Sequence, residues 1–148
     1  MRVEHEYYMR KALDLARRAA AEGETPVGAV VVRNGEIIGA GRNNTEKGDA
    51  TCHAELEAIR DAARNTGDWR LDGASIYVTM EPCPMCAGAI MNSRISKIYF
   101  GARDKNMGSC GSVINLFMEN YGRKAEITGG VLEEDCAAVL SEFLKKVR

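Results

Sequence analysis

The chain has 148 residues, a net charge of −1, 45% hydrophobic and 28% charged residues, 15 Gly and only 3 Pro. That is the make-up of one ordinary domain (1–148), able to bury roughly 70% of its unfolded surface, and it excludes a disordered tail, a collagen-like repeat or a metal-dependent miniprotein. No stretch approaches the roughly 18 apolar residues of a membrane span, and the first residues carry no apolar run of signal-peptide length, so a non-secreted, cytoplasmic protein is expected.

In chain order, residues 6–21 carry Met9, Ala12, Leu13, Ala16, Ala19 and Ala20 at helical spacing. Val27 to Val32 is a continuous small-apolar run, as expected of a strand buried on both faces. Asn34-Gly35 then marks a hairpin, so the first two strands are expected to be antiparallel. The polar stretch 42–51 reads as a loop, and a second helix is expected from about Cys52 to Asn65. Ala74 to Met80 reads as a third strand, followed by a helix starting at Pro84, where a proline suits the first turn. Lys97 to Gly101 is the fourth strand, and 113–118 (Val-Ile-Asn-Leu-Phe-Met) is expected to be helical. Ala125 to Thr128 gives a short fifth strand, and Glu133 to Val147 a closing helix with Ala137, Leu140, Phe143, Leu144 and Val147 inward. The connection between the last two strands is of crossover length, which predicts a parallel pair. The order predicts an α/β fold, a three-layer α/β/α sandwich around a mixed five-stranded sheet.

The residues that carry chemistry are His53-Ala54-Glu55 and Glu81-Pro82-Cys83-Pro84-Met85-Cys86. His53, Cys83 and Cys86 are good zinc ligands, and three protein ligands leave the fourth tetrahedral position open, as in catalytic sites. Cys83 and Cys86, three apart, share one helix face. Two residues apart on a helix means roughly 200° of rotation. His53 and Glu55 therefore serve one site only if it lies beyond the helix tip, and the N-termini of two helices are expected to converge on one zinc per chain. Their positive dipole ends favour thiolates there. Glu55 is then free to act as general acid and base, moving a proton from a metal-activated water to a leaving group. Competing readings are a structural zinc with Cys52 as fourth ligand and a redox pair at Cys83 and Cys86; neither uses Glu55. Cys52, Cys110 and Cys136 read as small core residues, and His5 as a surface histidine.

The pattern His-x-Glu followed by Pro-Cys-x-x-Cys is that of the zinc nucleobase deaminases. Nearly the whole chain resembles the bacterial tRNA-specific adenosine deaminases. The likeness runs through Pro26-Val27-Gly28-Ala29-Val30, His53-Ala54-Glu55, Trp69-Arg70-Leu71, Tyr77 to Ala89, Ser93-Arg94-Ile95, Phe100 to Asp104 and Gly130 to Cys136. The resemblance implies a cytidine deaminase-like fold and hydrolytic conversion of adenosine to inosine at the tRNA wobble position. It implies zinc on His53, Cys83 and Cys86, proton transfer by Glu55, and a homodimer acting on a tRNA anticodon stem-loop. It further implies substrate contacts at Asn43, Val27, Ala54 and Asp104. Asn43 is expected to read a base edge, so that its removal costs activity and leaves stability unchanged. A deaminase of a free nucleobase or nucleoside with the same chemistry is the alternative, and a nucleic-acid-binding protein with a structural zinc is the third.

Overall fold

The computed structural model describes residues 2–147. Its elements are α1 (Arg2–Ala21), β1 (Gly28–Arg33), β2 (Glu36–Arg42), α2 (Ala54–Thr66), β3 (Ser75–Met80), α3 (Pro84–Asn92), β4 (Lys97–Ala102), β5 (Glu126–Thr128) and α4 (Glu133–Lys146). The five strands form one sheet in the order β2-β1-β3-β4-β5. β1 is antiparallel to β2 and β3, while β3, β4 and β5 run parallel. The mixed sheet, the hairpin and the parallel final pair all follow the expected pattern.

The hairpin turns where the backbone enters the left-handed region, at Asn34 (φ 52°) and Gly35 (φ 75°). Consecutive positive φ values are what a two-residue turn needs to match the twist of its strands. A register shift between Val31 and Val32 bends β1 next to that turn.

Alternation along the strands builds two cores. Ala29 and Val31 of β1, Ile76 and Val78 of β3, and Ile98 and Phe100 of β4 pack with Ala54, Ala58 and Ala62 of α2 and Ala87 and Ile90 of α3. Val30, Val32 and Tyr77 face the other way, onto Tyr8, Met9, Ala12 and Leu13 of α1 and Cys136 of α4. Helices therefore cover both faces, and β1 is buried on both, which explains its unbroken apolar run.

Three expectations are corrected. Residues 113–118 are not a helix: only a 3-10 turn forms at Leu116–Met118, held by the Asn115 side chain accepting from the Phe117 N–H. The N–H groups of Val113 and Ile114 donate instead to the Gly108 carbonyl, which closes a loop. On α4, Cys136 is buried and Val139, Leu140 and Phe143 are half-buried, whereas Ala137, Leu144 and Val147 face out. His5 is half-buried rather than a free surface group: its Nδ1 lies 2.6 Å from the Tyr77 hydroxyl, and its ring stacks on Tyr99 at 4.2 Å. α1 accordingly begins a turn earlier than the apolar period suggests. No helix among the described residues is long and apolar enough to cross a membrane.

Candidate metal centre and active site

Two parallel-running geometries bring the chemistry together. β3 ends at Met80 and its chain turns through Glu81 and Pro82 into α3, whose N-cap is Cys83. On the neighbouring side, the loop after β2 leads into α2, whose N-cap is His53. Both N-caps have extended backbone, φ −77°, and neither uses its side chain to cap its helix. The imidazole and the thiol are therefore free to point beyond the helix tips, and the second thiol, Cys86, follows one turn into α3.

His53 Nδ1 lies 3.6 Å from Cys83 Sγ and 3.5 Å from Cys86 Sγ. All three donor atoms fall within 4.8 Å of one another. Tetrahedral zinc, with bonds of about 2.3 Å to sulfur and about 2.0 Å to nitrogen, sets its donors roughly 3.5–3.8 Å apart. The donor set and its spacing fit a zinc ion. The groups share their protons as a unit. The Cys83 thiol is pushed down to about 4, first by the hydrogen bond from Cys86 and then by His53, against burial. The Cys86 thiol is raised by Cys83 and by burial, and the His53 ring is raised by its bond to Cys83.

Glu55 sits in the first turn of α2, only 4% exposed. Burial pushes its carboxyl up to about 7, the Cys83 sulfur adds to that, and His53 and Cys86 pull the other way. A carboxyl balanced near neutrality beside a metal site is suited to taking and returning a proton. Among the described residues the metal-capable group is His53, Cys83 and Cys86 without a fourth protein donor. Cys52 is half-exposed in the loop, not in the core as expected, whereas Cys110 and Cys136 are buried there and their thiols are pushed up to about 12 by burial.

Val27, Asn43 and Ala54 come together beside this group. The Asn43 N–H donates to the Val27 carbonyl at 3.1 Å, and the Asn43 Oδ1 accepts from the Ala54 N–H at 3.1 Å. Because that partner can only donate, the amide orientation is settled: the oxygen faces α2 and the two N–H donors are left for a ligand. Asn43 therefore also caps α2, a role that His53 leaves open, so its removal is expected to cost stability as well as activity. Asn43→Ala is expected to lower kcat/KM by about 1–3 kcal/mol and the helix stability by about 1 kcal/mol. Asn43→Asp keeps the acceptor but has no donor, so it should recover the melting temperature and not the activity. Kinetics and thermal melting on the two variants check both halves.

Asp104 lies on the other side, in the loop after β4. Its Oδ1 accepts from the Asn106 and Met107 N–H groups, and so shapes its own turn, while its N–H donates to Glu81 Oε1 at 3.1 Å. The sequence assigned no role to two further carboxylates. Glu81 and Glu24, each 2% exposed, accept hydrogen bonds from the loops on either side of the site. Burial alone would raise the Glu81 carboxyl; bonds from Ser112, Asp104 and Cys110 outweigh it and hold it below its ordinary value. Glu81 was visible only as an acid closing an apolar strand before Pro-Cys, and Glu24 had no signal beyond a charge next to a buried run.

A His/Cys/Cys donor set on two helix tips, with no fourth protein donor among the described residues and a buried carboxyl group beside it, is the centre of a zinc-dependent hydrolase. The same scaffold recurs in known proteins. Residues 2–102 match the cytidine and deoxycytidylate deaminase zinc-binding region, and the chain belongs to that family. It is 46% identical to a tRNA-specific adenosine deaminase of Bacillus subtilis (strain 168), over 97% of this chain and 90% of that protein. It is 47% identical to one of Haemophilus influenzae, over 97% of this chain and 84% of that protein. A solved structure from studies of A-to-I editing by tRNA:A34 deaminases at the wobble position superposes with a TM-score of 0.87, at 40% identity, over 90% of this chain and 99% of that one.

Proposed function

We propose that this protein, acting as one domain, hydrolyses adenosine at the wobble position of a tRNA anticodon to inosine, releasing ammonia. The observation that carries the reading is the His53, Glu55, Cys83 and Cys86 constellation within a chain that matches a tRNA-specific adenosine deaminase over 97% of its length. His53 Nδ1, Cys83 Sγ and Cys86 Sγ hold the zinc. When bound, zinc supplies the Lewis acidity that makes water a nucleophile at neutral pH.

The chain's own groups do the rest. Glu55 takes a proton from the attacking water and passes protons to the ring nitrogen and the departing amine, so that water and adenosine give inosine and ammonia. The Asn43 N–H donors hold an acceptor edge of the flipped-out base. Val27 and Ala54 form its apolar walls, and Asp104 borders the mouth on the RNA side. A base outside a helix is the substrate such a site can reach. A cytoplasmic location is in keeping with a tRNA substrate. The protein works as a homodimer, in keeping with exposed Val113, Met118 and Tyr121.

The test is inosine formation in a synthetic anticodon stem-loop, run beside ammonia release from free bases and nucleosides. Inosine in the stem-loop is the expected result. Ammonia from a free base with an untouched stem-loop would overturn the assignment in favour of a small-molecule deaminase. Light scattering at micromolar concentration is expected to give twice the chain mass.

A further inference from the structure

We propose that Glu24 and Glu81 are positioning residues, two buried carboxylates that fasten the loops on opposite sides of the zinc ligands as fixed walls of the substrate pocket. The proposal rests on the deaminase reading above for what the walls enclose, and on the following geometry for the walls themselves.

Glu81 precedes the ligand-bearing Pro82-Cys83. Its Oε1 accepts from the Asp104 N–H and the Ser112 hydroxyl, and its Oε2 accepts from the N–H groups of Cys110 and Ser112, at 3.1 and 3.0 Å. The Ser109 N–H donates to the Pro82 carbonyl at 2.8 Å. The loop 103–112 is thus tied along its length to the segment that delivers Cys83. Glu24 precedes Val27, the opposite wall. Its Oε1 accepts from the Thr45 N–H and hydroxyl, and its Oε2 from the Glu46 N–H at 3.0 Å. That ties down the loop running from Asn43 to His53.

Burying a carboxylate is costly unless its charge is met. Among the described residues no Lys, Arg or His lies within ion-pair distance of either group. Loop N–H and O–H donors meet the whole charge. A core that needed only packing would be served as well by an apolar side chain, so the arrangement fits a demand for loop position rather than for stability. Gly108 points the same way. A Cβ there would run into the Asp104 carbonyl and stand 2.5 Å from Glu81 Cδ and 2.6 Å from Oε2, so both the turn at Asp104 and its closure over the carboxylate require glycine at that position.

Glutamine is the same size but presents an N–H2 group to donors. In Glu81→Gln the amide nitrogen is accommodated only towards Asp104, because the Ser112 hydroxyl there can reverse its bond while the two N–H groups on the other oxygen cannot. The variants to compare are Glu24→Gln, Glu81→Gln, Gly108→Ala and the milder Ser112→Ala. Zinc per chain, amide hydrogen exchange, and kcat and KM on the stem-loop are measured on each. Expected results are zinc as in the parent and faster exchange at Asp104 in Glu81→Gln and at Thr45 or Glu46 in Glu24→Gln. KM should rise roughly tenfold or more with kcat little changed, because the walls touch substrate away from the reacting carbon. Gly108→Ala should reproduce Glu81→Gln, and Ser112→Ala should show a smaller shift in the same direction. Unchanged exchange and KM, or zinc lost in step with activity, would overturn the proposal. Exchange reports on the loops whether or not the stem-loop is the substrate. A parent protein inactive on the stem-loop but with exchange altered in the variants would therefore sink the substrate reading and leave the loop fastening standing.

Discussion

Glu55→Gln is expected to purify with about one zinc per chain and to lose turnover by roughly 10²–10⁴-fold, the usual worth of a positioned proton carrier. The residue lies in the first turn of α2, 4% exposed, and belongs to no donor set. Glutamine fills the same volume and leaves the three donors where they are, so only the capacity to move a proton is removed. Cys86→Ala takes away a donor instead. It should lose the metal and melt at lower temperature, because a metal bound by the native state alone adds its binding free energy to stability. Metal content and single-turnover rates on the two variants separate the roles. Zinc loss in Glu55→Gln equal to that in Cys86→Ala would make Glu55 a ligand and end the proton-carrier assignment.

Phe100→Ala is expected to destabilise the fold by about 3–5 kcal/mol, the range for emptying an aromatic site in a packed core. Phe100 is 1% exposed in the middle of β4, in the cluster shared with Val78, Ile90 and Phe117. It sits where the sheet's central strand pair meets the helix layer that carries Cys86, so relaxation around the hole is opposed from both sides. Against a total stability of about 5–15 kcal/mol, the loss amounts to a drop of about 10 °C or more in melting temperature. Thermal unfolding in saturating zinc measures it, and a change below a few degrees would mean that the core can collapse around the vacancy.

What could be read from the chain is what local rules govern. Pro84 marked the first residue of α3, Asn34-Gly35 marked the turn, and the two-position spacing of His53 and Glu55 required a site beyond a helix tip. Each depends on neighbours within a few positions. The failures share the opposite character. Residues 113–118 form an apolar run that reads as a helix although Val, Ile, Asn and Phe are weak helix formers; Gly108, Ser109 and Asn115 capture its backbone in a loop, and Glu81, some thirty residues earlier, holds the preceding Cys110 and Ser112. The apolar residues of α4 cover more of its circumference than the sheet can, so periodicity alone could not tell Phe143 from Leu144. His5 looks like any surface histidine until folding brings Tyr77 and Tyr99 beneath it. Glu24 and Glu81 were hidden for the same reason, since a buried carboxylate announces itself only through donors that are distant in sequence.

The zinc ligands come from separate helices, with His53 30 residues from Cys83 and 33 from Cys86. The ion is therefore a removable cross-link between the β2–α2 half of the molecule and the β3–α3 half. Its contribution to stability scales with the logarithm of free zinc, about 1.4 kcal/mol for each tenfold change above the dissociation constant. A cell short of zinc would hold more of this chain in open forms that proteases can cut. The abundance of the protein, and not merely its catalytic state, would then follow the supply of the metal.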